Sequence, residues 1–370
     1  MKKKKTIKID FRHHWWHFNP ENNIFTNLLK KDYNVIIDKE NPDYVFFSVF
    51  THNRPVHSKN YSGIGKKIEK HAFWLYKILR GIYYFKKERW KMPIVKGNFV
   101  KIFFTVENAK PIMEKCDWAF THEYEEELRN PRYMRIPGYA FNSVKNPKEL
   151  VKNKNYDVKK IMQKKKKFCV FICSNDVGFR NRFFKKLNKY KKVESWGKVL
   201  NNMGRGIPKV VELNKEKKSK TETKEYVAKD FLEEYKFTIA FENTSKTGYT
   251  SERKVEPMRA NNIPIYWGNP LVKRDFNTKS FINYHDFEKE VKKRFPEFFF
   301  KIPIVKFLVE KYIEEATFRK MIKKIIELDK NDELYMEMLK QPWYNDNKPP
   351  VYLDKERIRK RLREIIESKN

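Results

Sequence analysis

The feature that most narrows what this chain can fold into is its alternation of short strand-like runs with longer, charged, helix-like stretches. Residues 6–11, Thr-Ile-Lys-Ile-Asp-Phe, alternate as a strand does, residues 23–31 read as a helix, and residues 44–50 return to a strand. A charged, aromatic helical stretch over 66–90 and a strand over 99–106 complete the first half. Strand, helix, strand in that order is the pattern of βαβ units, which build a layered fold around a mostly parallel sheet. The second half repeats it with a strand at 168–173, a helix at 181–190, strands at 193–196 and 237–241, a helix after Ser251 and a strand at 263–267. The polar, lysine-rich segment from Asn146-Pro147 to Lys167 reads as the boundary. The expected architecture is α/β, with two doubly wound, Rossmann-like domains over 1–157 and 158–330 facing a cleft, and C-terminal helices with a basic tail over 331–370.

A length of 370 residues suits two domains of roughly 100–200 residues each. Aromatic residues make up 16% of the chain, which argues for packed cores despite a formal net charge of +35. That charge draws polyanions, anionic lipid surfaces and phosphorylated small molecules without choosing among them. Its lysines fall in short runs, such as residues 2–5 and 164–167, that read as solvated surface. Three cysteines, Cys116, Cys169 and Cys173, are an odd number, so a fully paired disulfide framework is excluded and a reducing compartment is expected.

The N-terminus alternates where a signal peptide would be continuously apolar, and the longest apolar runs fall short of the roughly 20 residues that span a bilayer. A cytoplasmic protein is expected. The tail over 355–368 is a basic amphipathic helix with Ile358, Leu362, Ile365 and Ile366 on one face. It fits equally a peripheral helix on the anionic inner face of a membrane and a helix packed on the protein.

The chemistry concentrates after residue 235. Tyr-Lys-Phe-Thr-Ile-Ala-Phe-Glu-Asn-Thr, residues 235–244, reads as a buried strand ending in polar residues; a loop with Gly248-Tyr249 follows, and Thr250-Ser251-Glu252-Arg253 opens a helix. Ligands of open α/β sheets sit beyond the carboxyl ends of the strands, where these side chains emerge. Ser251 or Thr250 can cap the helix, whose free N–H groups favour a phosphate, and Arg253 adds a full positive charge. In outline this is a diphosphate site, although an ordinary capped helix also carries Glu and Arg in its first turn.

The longer string is more specific. Phe241-Glu242-Asn243-Thr244, Gly248-Tyr249-Thr250-Ser251-Glu252-Arg253, Ile263-Pro264-Ile265-Tyr266-Trp267-Gly268-Asn269-Pro270, Asp275-Phe276 and Ser280-Phe281-Ile282 together resemble the signature of the α-1,3/4-fucosyltransferases, glycosyltransferase family 10. The resemblance extends to residues 193–202 and, more faintly, to Asp117-Trp118-Ala119-Phe120 and Tyr133-Met134-Arg135-Ile136-Pro137. It implies a GT-B fold, with the glycan acceptor largely on the first domain and GDP-fucose on the second. The implied reaction is inverting transfer of L-fucose from GDP-fucose to a glycan hydroxyl, with N-acetylglucosamine of a lactosamine-type unit as the expected acceptor.

By their places in the motif, Asn243 and Tyr249 are implied to contact the nucleotide and Glu252 to accept hydrogen bonds from the ribose hydroxyls. Arg253 stands where the family usually has a lysine on the diphosphate. Arg180, in Ser174-Asn175-Asp176-Val177-Gly178-Phe179-Arg180-Asn181, matches the family's other phosphate-binding arginine. Its planar fork suits phosphate oxygens. Besides Arg253, a second departure is Pro257, which falls inside the expected helix, where its ring would meet the carbonyl of Arg253.

Inverting transfer needs one base for the acceptor proton and a means of stabilising the departing diphosphate. The resemblance implies Glu107, in Phe103-Phe104-Thr105-Val106-Glu107-Asn108, as that base; unaided, a Glu at a strand end reads as structural. His13, His14 and His17 around Trp15-Trp16 lack a Cys or carboxylate to complete a metal site and read as a wall for the acceptor. With Arg180 and Arg253 supplying positive charge, neither a metal nor a cofactor is expected. The rivals are another nucleotide-sugar glycosyltransferase on this fold and a nucleic-acid binder. Against the latter, the basic residues are scattered and no reader motif appears, so no nucleic-acid partner is expected.

Overall fold

The computed structural model describes residues 4–15, 18–50, 90–142, 146–204 and 229–368. The chain forms two compact units: unit 1 is Met1–Ile136 with Lys355–Asn370, and unit 2 is Pro137–Asp354. Among the described residues, the helices of eight residues or more are α1 Ile24–Asp32, α2 Gly178–Leu187, α3 Glu252–Arg259, α4 Tyr284–Lys292, α5 Pro303–Lys330, α6 Asp332–Lys340 and α7 Lys355–Glu367.

Unit 1 holds a sheet of β1 Thr6–Arg12, β2 Asn34–Ile37, β3 Tyr44–Phe47, β4 Val100–Phe104, β5 Trp118–Thr121 and β6 Tyr133–Arg135. The order is β2-β1-β3-β4-β5-β6, and neighbouring strands are parallel throughout. The helix expected over 66–90 lies outside the described residues apart from Trp90, whose ring packs 4.9 Å from that of Phe50. Helix α1 begins where the Asn23 side chain accepts from the N–H groups of Phe25 and Thr26, at 3.0 and 3.1 Å. Its inner face sets Phe25 against Phe46, Phe104 and Phe120, with centroids 4.9, 4.8 and 5.4 Å apart. Stacked, tilted and edge-on ring pairs at such distances are favourable beyond their burial.

The tail belongs to this unit. Ile358, Leu362, Ile365 and Ile366 on α7 are buried, and the helix packs along α1. The Tyr44 hydroxyl donates to the Ile366 carbonyl at 3.0 Å. Arg359 grips Asp32 with two bonds of 2.7 and 2.5 Å, and Arg357 grips Glu125 at 2.5 and 2.7 Å. Burying each such aliphatic side chain contributes about 1.5–3 kcal/mol. Of the two readings open for the tail, the burial of its apolar face favours packing. Residues 331–370 are therefore not a separate piece: α6 stays with unit 2 and α7 returns to unit 1.

Unit 2 holds β7 Lys167–Phe171, β8 Val193–Ser195, β9 Tyr235–Phe241, β10 Ile263–Trp267 and β11 Ile282–Asn283, in the order β11-β10-β9-β7-β8. Its pairs are parallel as well. The unit begins at Pro137, ahead of the boundary read from the lysine-rich segment, because a few residues in and before that segment anchor it to unit 2 while most of its lysines stay exposed. The Tyr139 ring lies 5.3 Å from that of Phe276, and Glu149 pairs with Arg259 at 3.3 Å. Lys152 donates to the carbonyls of Leu339 and Gln341 and lies 3.9 Å from the Trp343 ring centroid. Lys165 donates to the carbonyls of Glu233 and Ala260, at 2.9 and 3.0 Å, and to Asn262 Oδ1 at 2.6 Å. Burial pulls both amines down to about 7. A lysine stem packs as an apolar chain, and its three donors suit clustered carbonyls, which a charge count along the sequence cannot register.

The single helical stretch expected from 305 to 339 is two helices. The Asn331 side chain accepts from the Leu334 N–H at 3.0 Å and so starts α6. All three cysteines are free and buried, and among the described residues no helix is long and apolar enough to cross a membrane.

Candidate functional site

Strand order reverses between β7 and β9, since the chain runs outward from β7 to β8 and returns on the other side to β9. In an open α/β sheet the crevice for a ligand opens at this point, beyond the carboxyl ends of the two strands. Arg180 is the third residue of α2 and fully buried. Its Nη2 donates to the Asn175 carbonyl at 2.8 Å and its Nη1 to the Phe241 carbonyl, at the end of β9, at 3.3 Å. Its Nε has no partner. Arg253, second in α3 and half-buried, donates from Nη1 to the Ile172 carbonyl, just past β7, at 3.2 Å.

Neither arginine forms an ion pair among the described residues. Burial lowers the pKa of Arg180; Cys173 opposes that effect, Arg253 adds to it, and Glu242 and Tyr249 oppose it. The two guanidinium groups, Glu242 and Tyr249 thus share one electrostatic neighbourhood. A buried cation without a counter-ion costs several kcal/mol, which an arriving anion offsets.

Glu242, the first residue past β9, is fully buried, and its carboxylate accepts from the Ser251 N–H at 2.8 Å and from its hydroxyl at 2.6 Å. Burial raises its pKa to about 7 against those two bonds and the nearby charge of Arg253. Space for it depends on Gly268, where a Cβ would collide with Glu242 Cγ. Ser251 is also the N-cap of α3, its hydroxyl accepting from the Arg253 N–H at 3.4 Å. Glu242 therefore staples the start of α3 to the end of β9 and fixes where Glu252 and Arg253 stand. In the sequence Glu242 stands in the motif with no role that its place there implies; the signal for one is a carboxylate set directly after a buried strand.

The remaining expected residues fall at the same strand ends. Asn243 is half-buried, with Oδ1 inaccessible and without a partner. Tyr249 is buried and follows Gly248, whose φ of +77° is a left-handed conformation that suits glycine and whose N–H donates to Asn269 Oδ1 at 2.8 Å. Glu252 is half-buried at the first position of α3. The loop is tied down further by His285, with Nδ1 2.8 Å from Glu288 and Nε2 3.1 Å from the Gly268 carbonyl, to which Ser245 also donates at 2.8 Å.

Pro257 does not end α3, which runs on to Arg259. In the same helix Lys254, which nothing in the sequence marks out, is fully buried with Nζ 2.8 Å from the Phe281 ring centroid and no hydrogen-bond partner. Burial drives its pKa well down.

Glu107 belongs to unit 1. The strand expected to reach 106 ends at Phe104, and Glu107 sits in the bend beyond it, half-buried, its N–H donating to Thr105 Oγ1 at 3.1 Å. The hydroxyl of Thr105 turns the chain there, and pairing stops.

Unit 1 has its own reversal, between β1 and β3. There His14 stacks on Phe18 at 4.2 Å, with Nε2 3.3 Å from the Phe46 carbonyl, and burial lowers its pKa to about 3. Trp15 meets Phe18 edge-on at 5.0 Å. Trp16 and His17 lie outside the described residues. Among the described residues, no group of three or more His, Cys, Asp or Glu could hold a metal ion.

Residues 162–295 match the family described as glycosyltransferase family 10 (fucosyltransferase) C-term, and residues 9–64 match the alpha-(1,3)-fucosyltransferase FucT N-terminal domain. The chain is 32% identical over 220 residues to the alpha-(1,3)-fucosyltransferase FucT of Helicobacter pylori, covering 52% of this chain and 42% of that protein. It is 27% identical over 219 residues to the putative fucosyltransferase R654 of Acanthamoeba polyphaga mimivirus, covering 59% of this chain and 29% of that one. The matched stretches thus span less than half the length of these relatives.

A solved structure of an alpha1,3-fucosyltransferase with GDP-fucose superposes with a TM-score of 0.62 at 21% identity, covering 99% of this chain and 92% of that chain. At that identity the likeness carries the fold, which is of the GT-B type. Two parallel, doubly wound units, the motif strung along the ends of β7, β9 and β10, and both family matches lead to one assignment: the chain belongs to glycosyltransferase family 10, the fucosyltransferases.

Proposed function

We propose that the chain is an inverting α-1,3-fucosyltransferase that moves L-fucose from GDP-fucose to a hydroxyl of a glycan, with N-acetylglucosamine of a lactosamine-type unit as acceptor. The observation that carries this reading is the pair Arg180 and Arg253, held by main-chain carbonyls at the reversal of unit 2 and paired with no carboxylate among the described residues. Their forks and the N–H groups of α3 are suited to the two phosphates of GDP and to the charge that grows on them as the bond to fucose breaks. Asn243 and Tyr249 take the nucleotide and Glu252 the ribose hydroxyls, in a register held by the staple from Glu242 to Ser251.

Glu107 is the general base that accepts the proton of the attacking hydroxyl. The leaving diphosphate is weakly basic and needs no acid, and the two arginine charges serve in place of a metal. The aromatic and histidine cluster at the end of β1 offers ring faces and polar edges of the kind that bind sugars. The protein acts in the cytoplasm.

The test is incubation with a lactosamine acceptor and each common sugar nucleotide, read by mass spectrometry and linkage analysis, with and without EDTA. Transfer from GDP-fucose to O3, unchanged by EDTA, supports the proposal. Consumption of another sugar nucleotide instead makes the chain a different glycosyltransferase, and EDTA inhibition reversed by a divalent ion overturns the metal-free part.

A further inference from the structure

We propose that the short turn Glu297–Phe300 and the first three turns of α5 form a docking surface for an anionic lipid bilayer. The helix is apolar on two sides there. Val309 and Ile313 face inward and pack with Val291, Phe295 and Phe299. Ile304, Phe307, Leu308 and Tyr312 recur at helical spacing on another side and are 76%, 46%, 59% and 51% exposed. Phe298 and Ile302, just before them, are 54% and 49% exposed. A surface helix normally keeps polar residues on the side away from its core, and a run of exposed large apolar side chains marks a face that meets something other than water.

Charge selects the occupant. Lys292, Lys293, Arg294, Lys301, Lys306 and Lys311 are exposed in the same stretch, against Glu297 and Glu310. Glu310 is already engaged with Lys306 at 3.8 Å. A second copy of this chain would bring the same positive face to a positive face. The backbone of a nucleic acid would meet the lysines but leave Ile304 and Leu308 in water. An anionic bilayer takes both kinds of side chain, the apolar ones below the headgroups and the lysines among the phosphates. Helix α7 is also basic, but its apolar residues are already buried, so it has only charge to offer.

The test is co-sedimentation of the full chain with vesicles of phosphatidylcholine alone or mixed with phosphatidylglycerol. Binding is expected only with phosphatidylglycerol present, and the double variant Ile304→Ser, Leu308→Ser should weaken it at least about tenfold. Both positions are exposed, so circular dichroism and turnover of GDP-fucose should match the wild type. Arg363→Glu, on the exposed side of α7, should leave binding in place. The proposal is overturned if vesicles with phosphatidylglycerol do not bind, or if the double variant binds like the wild type. It is equally overturned if, without lipid, sedimentation velocity finds a wild-type dimer that the double variant loses.

Discussion

At the reversal of strand order in unit 2 two arginines beyond the strands have only main-chain carbonyls to hold them, whereas at the reversal in unit 1 His14 and Phe18, past β1, form a ring cluster with Phe11 and Phe46 near the ends of β1 and β3. Both sheets are parallel and both reverse between their first strand and the third strand that the chain forms there. The topology supplies an opening in each case, and a few residues after each strand decide what it suits. In unit 2 the uncompensated charge suits phosphates. In unit 1 the rings and a neutral histidine suit a ligand with faces and hydroxyls, and the carboxylate of Glu107 follows the fourth strand. Under the proposed function, binding of the donor falls to unit 2 and activation of the acceptor to unit 1.

The largest effect expected from that division is at Glu107. Glu107→Gln keeps the shape and cannot take a proton, so transfer should fall about 10² to 10⁴-fold while GDP affinity stays constant, measured by initial rates and calorimetry. A parallel loss of GDP affinity would erase the distinction between the units, and transfer within a few-fold of wild type would make Glu107 structural. At Arg180 the split should invert. Arg180→Ala should cost about 2.7–4 kcal/mol in turnover, by analogy with removing an oxyanion donor, and should weaken GDP binding as well. Arg180→Lys should retain more of both, and equal mild effects from the two substitutions would remove the diphosphate role.

The strand over residues 263–267 was legible to the residue because its apolar run is bounded by Asn262 and by Gly268. The arginines were legible through a motif whose spacing the strand ends impose. Less visible were features made by distant partners. Lys165 looks like one more solvated lysine until the Ala260 carbonyl reaches it at 3.0 Å, and α7 looks like a free amphipathic tail until Arg359 meets Asp32. Glu242 is visible as an acid, but its bond to Ser251 requires the loop between them to fold back. Where β4 ends could not be read from alternation, since Thr105 and Val106 continue the pattern and only pairing stops.

The tail gives a further contrast between the units. Leu362→Ala should destabilise unit 1 by about 2–5 kcal/mol, the usual range for a buried leucine, and leave the melting of unit 2 in place. Hydrogen exchange resolved by segment would show faster opening of β1 and β3 with β9 and β10 unchanged. Equal loosening of both sheets would contradict the assignment of α7 to unit 1 alone.

A smaller effect concerns pH, where the units should respond with opposite signs. Burial depresses His14 from 6.5 to about 3, so the stability it contributes is fully present above pH 6.5 and is lost as pH falls toward 3. Glu242 is raised from 4.5 to about 7, so its contribution is fully present below pH 4.5 and is lost as pH rises through 7. Each pH unit within these windows is worth at most about 1.4 kcal/mol. Segment-resolved exchange between pH 4.5 and 8 should show β1 loosening toward acid and β9 toward alkali. His14→Phe should flatten the first response and Glu242→Gln the second; a common sign in both units would refute the comparison.

The central claim, that the reversal in unit 2 is the donor site, is tested most directly by titrating GDP and UDP into the wild type and Arg180→Ala while following exchange protection by segment. GDP should slow exchange at residues 172–180 and 242–254 and, at a hundredfold excess over its Kd, raise the stability of the wild type by about 2.7 kcal/mol. UDP should do neither, and Arg180→Ala should lose most of the GDP response. Protection confined to unit 1, or an equal response to GDP and UDP that survives Arg180→Ala, would contradict the claim.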